Sequence, residues 1–246
     1  DVADALWAGV TPRTKVIFLS HITSPTGLIL PVAEICRRAR AAGILTVIDG
    51  AHAVGQIDLD MAQIGADFYT SNAHKWLLAP KGSAFLYARP DRQSMLDPLV
   101  VSWGWESEVP GPSHFLDYFE WPGTFDPAAY LSVPAAIQFQ AEHDWSQVRA
   151  ASFALLGHVR AQVTALTGLP PLAPHSPDFT GQMVSLPLPA AWGDPATIKT
   201  RLWDDFRVEA PVMAWNGRTL IRISIQAYNG PQDVERLVAA LIELVK

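Results

Sequence analysis

The sequence predicts an α/β protein, with a mainly parallel sheet and its helices followed by a smaller C-terminal α+β domain. Three observations carry this prediction. Short apolar runs alternate with amphipathic stretches through the first ninety residues. Those runs are apolar along their whole length, which suits parallel strands covered on both faces. The last hundred residues alternate helical patterns with strands read as antiparallel, the layering of an α+β unit.

Taken in order, "KVIFLS" (15–20) reads as a buried strand and "LPVAEICRRARAAG" (30–43) as a helix ending at a glycine. "ILTVIDG" (44–50), "FYTSN" (68–72) and "GSAFLYAR" (82–89) read as three further strands. From Pro90 to Thr124 the pattern gives way to Pro, Gly, Ser and aromatics, a stretch too long for a simple linker and suited to a functional or interface loop. "PAAYLSVPAAIQFQAEHDW" (127–145) reads as one helical run. Helices over 146–167 and 195–206, strands at 182–189 and around "RVEAPVMAW" and "RTLIRISI", and a closing helix over 231–246 complete the chain. The expected division is 1–125, a connecting helix over 126–145, and 146–246.

Composition narrows the function classes. At 246 residues with 49% hydrophobic and 17% charged side chains, the chain has enough apolar material for a sizeable core. Its 18 basic and 24 acidic residues give a net charge of −6 with no basic run, which excludes the phosphate-neutralising surface of a nucleic-acid binder. No apolar run approaches the ~18 residues of a membrane span, and no signal-peptide layout opens the chain. A cytoplasmic location is the expectation. The single cysteine, Cys36, lies in a helical pattern and permits neither an internal disulfide nor a cysteine metal site; no metal is expected. The chain starts at Asp1 and reaches an apolar strand within sixteen residues, so it is expected to begin in mid-domain.

In an open parallel sheet, ligands bind beyond the carboxyl ends of the strands. The residues just after each apolar run are "HITSPTG", "DGAHAVGQ" and "SNAHKW", which makes Ser24, Asp49, His52, His74 and Lys75 neighbours in expectation. Each also has a plainer reading. Asp49 before a glycine suits an Asx-turn, and either histidine can be a satisfied structural one. Lys75, followed by Trp76, Leu77 and Leu78, would lose hydration and favour its neutral amine, the form that attacks a carbonyl. A Schiff-base lysine with a carboxylate from another strand end is the minimal equipment for holding pyridoxal phosphate.

"VIDGAHAVGQ" followed by "SNAHKWLLAPKG", with Lys75 26 residues after Asp49, resembles the signature of the class V aminotransferases, which are fold type I pyridoxal phosphate enzymes. "FEWPGTFDPAAYLSVPAAIQF" (119–139) and "IRISIQAYNG" (221–230) also resemble the isopenicillin N epimerase-like branch. The resemblance implies that Lys75 forms the Schiff base, Asp49 pairs with the pyridine nitrogen, and His52 lies near the ring and its O3′. It implies that His74 holds the phosphate, assisted by Asn72 where many relatives have serine, and that Ser24 stands near O3′. Thr124 matches a threonine that reaches the phosphate of a partner subunit's cofactor, implying a homodimer. Arg222 matches the arginine that clamps the substrate α-carboxylate; taken alone, an arginine in so apolar a strand requires a carboxylate partner, either substrate or internal.

The same resemblance implies that the chain holds part of the large domain, and the N-terminal third that supplies half of the phosphate cradle is expected to be missing from it. The expected function is an epimerase- or aminotransferase-like enzyme acting on an amino acid, with no one amino acid indicated. The alternatives are a non-catalytic fragment and a cysteine desulfurase or lyase-type member. A persulfide route ranks low because Met183, Ser185 and Trp192, and no cysteine, occupy 180–215.

Overall fold

Helix α1 (Val2–Trp7) leads into strand β1 (Val16–Ser20), and the computed structural model describes residues 2–244. Helix α2 (Val32–Ala41) buries Val32, Ile35, Cys36 and Ala39, an i, i+3, i+4, i+7 stripe that makes one apolar face. Strand β2 (Leu45–Asp49) follows, then a single helical turn, α3 (Met61–Ile64), capped by the Asp60 carboxylate. Strands β3 (Phe68–Asn72) and β4 (Ala84–Ala88) complete a four-stranded sheet of order β1-β2-β3-β4. β1, β2 and β3 are parallel, whereas β4 returns antiparallel to β3 after a connection too short to hold a crossover helix.

The expectation of a sheet covered on both faces does not hold at β1. Register puts Val16 and Phe18 on one face with Leu45 and Val47, and there Val16 is 49% and Phe18 68% exposed. Helix α2 packs on β2, and α1 and α3 pack on α2, so these helices gather on the other face, over Thr46 and Ile48.

The 90–124 segment contains a 3-10 turn (Pro90–Met95) and helix α4 (His114–Phe119), capped by Ser113. The run read as one helix is two, α5 (Ala128–Leu131) and α6 (Val133–Glu142). Pro134 lacks the N–H that would continue the ladder back to Tyr130. Asp144, with φ +44°, then caps the long helix α7 (Trp145–Thr167).

Strand β5 (Met183–Leu188), helix α8 (Pro195–Phe206), strands β6 (Val212–Trp215) and β7 (Arg218–Ser224) and helix α9 (Pro231–Leu244) follow. The three strands form an antiparallel sheet of order β5-β7-β6. Asn216 and Gly217, both at positive φ, make the two-residue turn between β6 and β7. Leu156 and Val159 of α7, Leu202 of α8, Leu241 of α9 and Ile221 of β7 meet in one buried core. No helix among the described residues is long and apolar enough to cross a membrane.

The chain divides into two units: residues up to Ser20 with Pro31–Ile137, and His21–Leu30 with the chain from Gln138. The second grouping takes in a segment that lies between β1 and α2 in sequence. Ile29 N–H donates to the Phe179 carbonyl at 2.9 Å, and Ser185 Oγ donates to the Pro25 carbonyl at 2.7 Å. Gly27, at φ +69°, lies so close to β5 that a Cβ there would sit 3.0 Å from the Met183 carbonyl oxygen.

In the first unit the Asp67 carboxylate accepts from Thr46 N–H at 2.8 Å and pairs with Arg89 at 2.9 Å and Arg92 at 3.1 Å. Asp67→Ala is expected to lower the unfolding free energy by about 3 kcal/mol in urea titration, since it strands two guanidinium groups that then share only Asp91. In the second unit burial lowers the pKa of His21 from its ordinary 6.5 to about 4. Between those values the unfolded chain takes up the proton first, so stability drops as the pH falls from about 6.5 to 4, by about 2.5 kcal/mol. Urea midpoints measured across that range should show a shallower slope for His21→Gln than for wild type.

Candidate active site

The parallel register of β2 and β3 sets Asp49 opposite Thr70 at the carboxyl edge of the first unit's sheet. Gly50 N–H donates to the Thr70 carbonyl at 2.6 Å, and Ser71 Oγ donates to the Gly50 carbonyl at 2.5 Å, so the chain after β2 is tied to β3 beyond the last ladder pair. One Asp49 oxygen accepts from Ala51 N–H at 2.9 Å, the Asx-type bond its glycine neighbour suggested. The other oxygen has no hydrogen-bond partner among the described residues.

Two turns then lock together. The turn after β3 is closed by Ala79 N–H donating to the Ala73 carbonyl at 3.0 Å, which places His74 and Lys75 within it; Leu78 adopts φ +67°. Trp76 is buried, and its indole N–H donates to His52 Nδ1 at 3.2 Å. Because an indole nitrogen only donates, Nδ1 of His52 is the unprotonated nitrogen and Nε2 carries the proton. Gly55, at φ +83°, lies against the Trp76 backbone, where a Cβ would fall 2.5 Å from the carbonyl. His74 Nδ1 donates to the Ser83 carbonyl at 3.3 Å. Asn72 ends β3, paired with Ala84 and half-buried.

Beneath Asp49 lies Tyr69, fully buried, with its ring so close to Gly50 that a Cβ there would meet the hydroxyl at 2.2 Å. Burial first, and the Asp49 charge second, raise the Tyr69 pKa, so the phenol keeps its proton. Neither Tyr69 nor the indole bond of Trp76 was read from the sequence; the nearest signal was the Asp-Gly pair, whose glycine admits the ring.

Thr124 of the first unit and Ser24 and Arg222 of the second complete the predicted set. Thr124 is exposed in the bend after Gly123, and next to it the Asp126 carboxylate accepts from Ala128 N–H at 2.9 Å. In the second unit Arg222 Nη1 donates to both the carbonyl and the hydroxyl of Ser24, at 2.9 and 2.8 Å. Its Nε is buried without a partner, burial lowers its pKa, and no carboxylate of the described residues pairs with it. The internal-carboxylate reading of Arg222 therefore finds no support among those residues.

A family model described as Aminotransferase class-V matches residues 2–237. The chain belongs to this family. Isopenicillin N epimerase of Amycolatopsis lactamdurans is 40% identical over 100% of this chain and 64% of its own length. That of Streptomyces clavuligerus is 41% identical over 98% and 63%. The chain thus spans somewhat under two thirds of the length of these relatives. Among solved structures, a C-DES mutant with glycine covalently linked to its PLP cofactor aligns at a TM-score of 0.79 and 25% identity, over 98% of this chain and 63% of that one. Cysteine desulfurase CsdA from Escherichia coli shares the fold, at a TM-score of 0.79, 21% identity and 99% and 62% coverage.

The donor set of this class V aminotransferase chain fits pyridoxal phosphate. A half-buried carboxylate with one open oxygen at the end of β2 suits a protonated ring nitrogen, and a lysine stands in the turn after the neighbouring β3. The lock between the two turns is testable at its closest point. Gly55→Ala should cost about 2–3 kcal/mol in urea unfolding, since it adds a backbone clash to the positive φ. Gly43→Ala, also at positive φ but with nothing within 4 Å, should cost only about 1 kcal/mol. Equal costs would show that the Trp76 contact is not tight.

Proposed function

We propose that this protein is a pyridoxal phosphate enzyme that works at the α-carbon of an amino acid, epimerase- or aminotransferase-like. The observation that carries the reading is the open oxygen of Asp49 beside the Lys75 turn, with both loops locked by the bond from Trp76 to His52. When bound, the cofactor supplies an electron sink for charge left on the α-carbon. Asp49 holds the ring nitrogen's proton. Lys75 anchors the cofactor and, once released, moves the α-proton. His52 donates from Nε2 toward the ring oxygen. His74, with Nδ1 engaged on Ser83, turns its other ring nitrogen to the phosphate. Asn72 adds an amide donor.

Arg222 receives the α-carboxylate, a bidentate task suited to its fork. Its half-buried charge, partnered only by neutral oxygens of Ser24, supports this role. Thr124 reaches the phosphate of a second copy, and the protein works as a cytoplasmic homodimer. Epimerisation is favoured over persulfide chemistry. The sole cysteine, Cys36, is 1% exposed and burial pushes its thiol pKa up, so it offers no nucleophile, while the relatives at 40–41% identity are isopenicillin N epimerases.

Titration with pyridoxal phosphate should give a visible absorbance band that Lys75→Ala abolishes; a wild-type chain that stays colourless at saturating cofactor would sink the reading. An amino-acid panel in D2O should show α-proton exchange without keto-acid formation for an epimerase, and keto acid for an aminotransferase. Arg222→Gln should raise KM for the responsive amino acid about 10- to 100-fold, the worth of a charge-assisted pair.

A further inference from the structure

We propose that Ser24 and Ser185 are positioning residues that brace the Arg222 guanidinium, an assignment that rests on Arg222 being the carboxylate clamp. It differs from the role beside O3′ that resemblance gives Ser24. Ser185 on β5 and Arg222 on β7 are direct cross-strand partners, so their side chains leave the same face of the antiparallel sheet. Both grip one turn. Ser185 Oγ, on a fully buried residue, donates to the Pro25 carbonyl at 2.7 Å. Arg222 Nη1 donates to the carbonyl and the hydroxyl of Ser24. Two opposed side chains thus hold adjacent residues of a single loop.

The loop is stiff enough to serve as a brace. Gly27 N–H donates to the Thr23 carbonyl at 2.8 Å, Thr23 N–H donates to the Leu28 carbonyl at 3.0 Å, and the Thr23 and Thr26 hydroxyls bond each other. Gly27 presses on the Met183 carbonyl, as described above. Two acceptors on one Nη1 stop the guanidinium from turning about its Nε–Cζ bond. They are neutral, so they orient the cation without cancelling its charge, and the plane is set before a carboxylate arrives. A carboxylate in place of Ser24 would hold the arginine as firmly but neutralise it.

The test uses Ser24→Ala, Ser24→Thr, Ser185→Ala and Arg222→Gln in the cofactor-loaded protein. Ser24→Ala and Ser185→Ala should each raise KM for the amino acid several-fold, with kcat within about twofold and with an unchanged cofactor spectrum. Ser24→Thr, which keeps the hydroxyl, should restore KM. Nitrogen-15 NMR of the Arg222 side chain needs no turnover, and there Ser24→Ala should speed guanidinium rotation several-fold and weaken the shift produced by acetate as the carboxylate probe. A KM that rises in Arg222→Gln but not in Ser24→Ala, with unchanged rotation, overturns the brace and leaves the clamp standing. A changed cofactor spectrum in Ser24→Ala at constant KM overturns it in favour of a place beside the ring. A KM unmoved in Arg222→Gln removes the clamp, and the brace with it.

Discussion

The first unit depends on the register between β2 and β3, and one buried carboxylate enforces it. Asp67, just before β3, accepts from both the backbone and the hydroxyl of Thr46 in β2, and its other oxygen takes Arg89 and Arg92 beyond β4. A carboxylate 4% exposed with this many donors cannot shift by a residue without abandoning several of them. Because side chains alternate along a strand, a slip of one would also turn Asp49 to the opposite face. The polar residues at the strand ends therefore inherit their geometry from a polar knot at the other end of the same strands.

Asp67 and Arg222 show two ways of burying a charge. Asp67 is neutralised twice over and its hydrogen-bonding capacity is filled, which makes it a fastening. Arg222 is half-withdrawn from water, carries a buried Nε with no partner, and meets only the neutral oxygens of Ser24. The first charge is satisfied by the protein; the second has no carboxylate partner among the described residues. The same contrast separates Tyr69, whose burial keeps its phenol protonated, from Asp49, which stays open on one oxygen above it.

Much of the fold was legible because the apolar runs are short and uninterrupted. All seven strands and the long helices stand within a few residues of where periodicity puts them, and the antiparallel return of β4 is the ordinary result of a short connection. Breaks set by single backbone atoms were harder to see. Pro134 divides the helix read over 127–145 through one absent N–H, and the open face of β1 depends on where helices pack, which the strand's composition does not report.

At the candidate site the sequence by itself determined the residue types, Asp49, His52, His74 and Lys75 at strand ends and Arg222 in an apolar strand, because each stands beside a local signal: a glycine, a turn or an apolar wall. Only the tertiary structure decided how those groups are held. The bond from Trp76 to His52 assigns the imidazole proton, and the approach of Gly55 to Trp76 locks two turns. The segment His21–Leu30 joins β5 and β7, 198 residues separating Ser24 from Arg222 in the chain. Hydrogen bonds of that kind follow from spatial approach and direction, which no periodicity along a chain encodes.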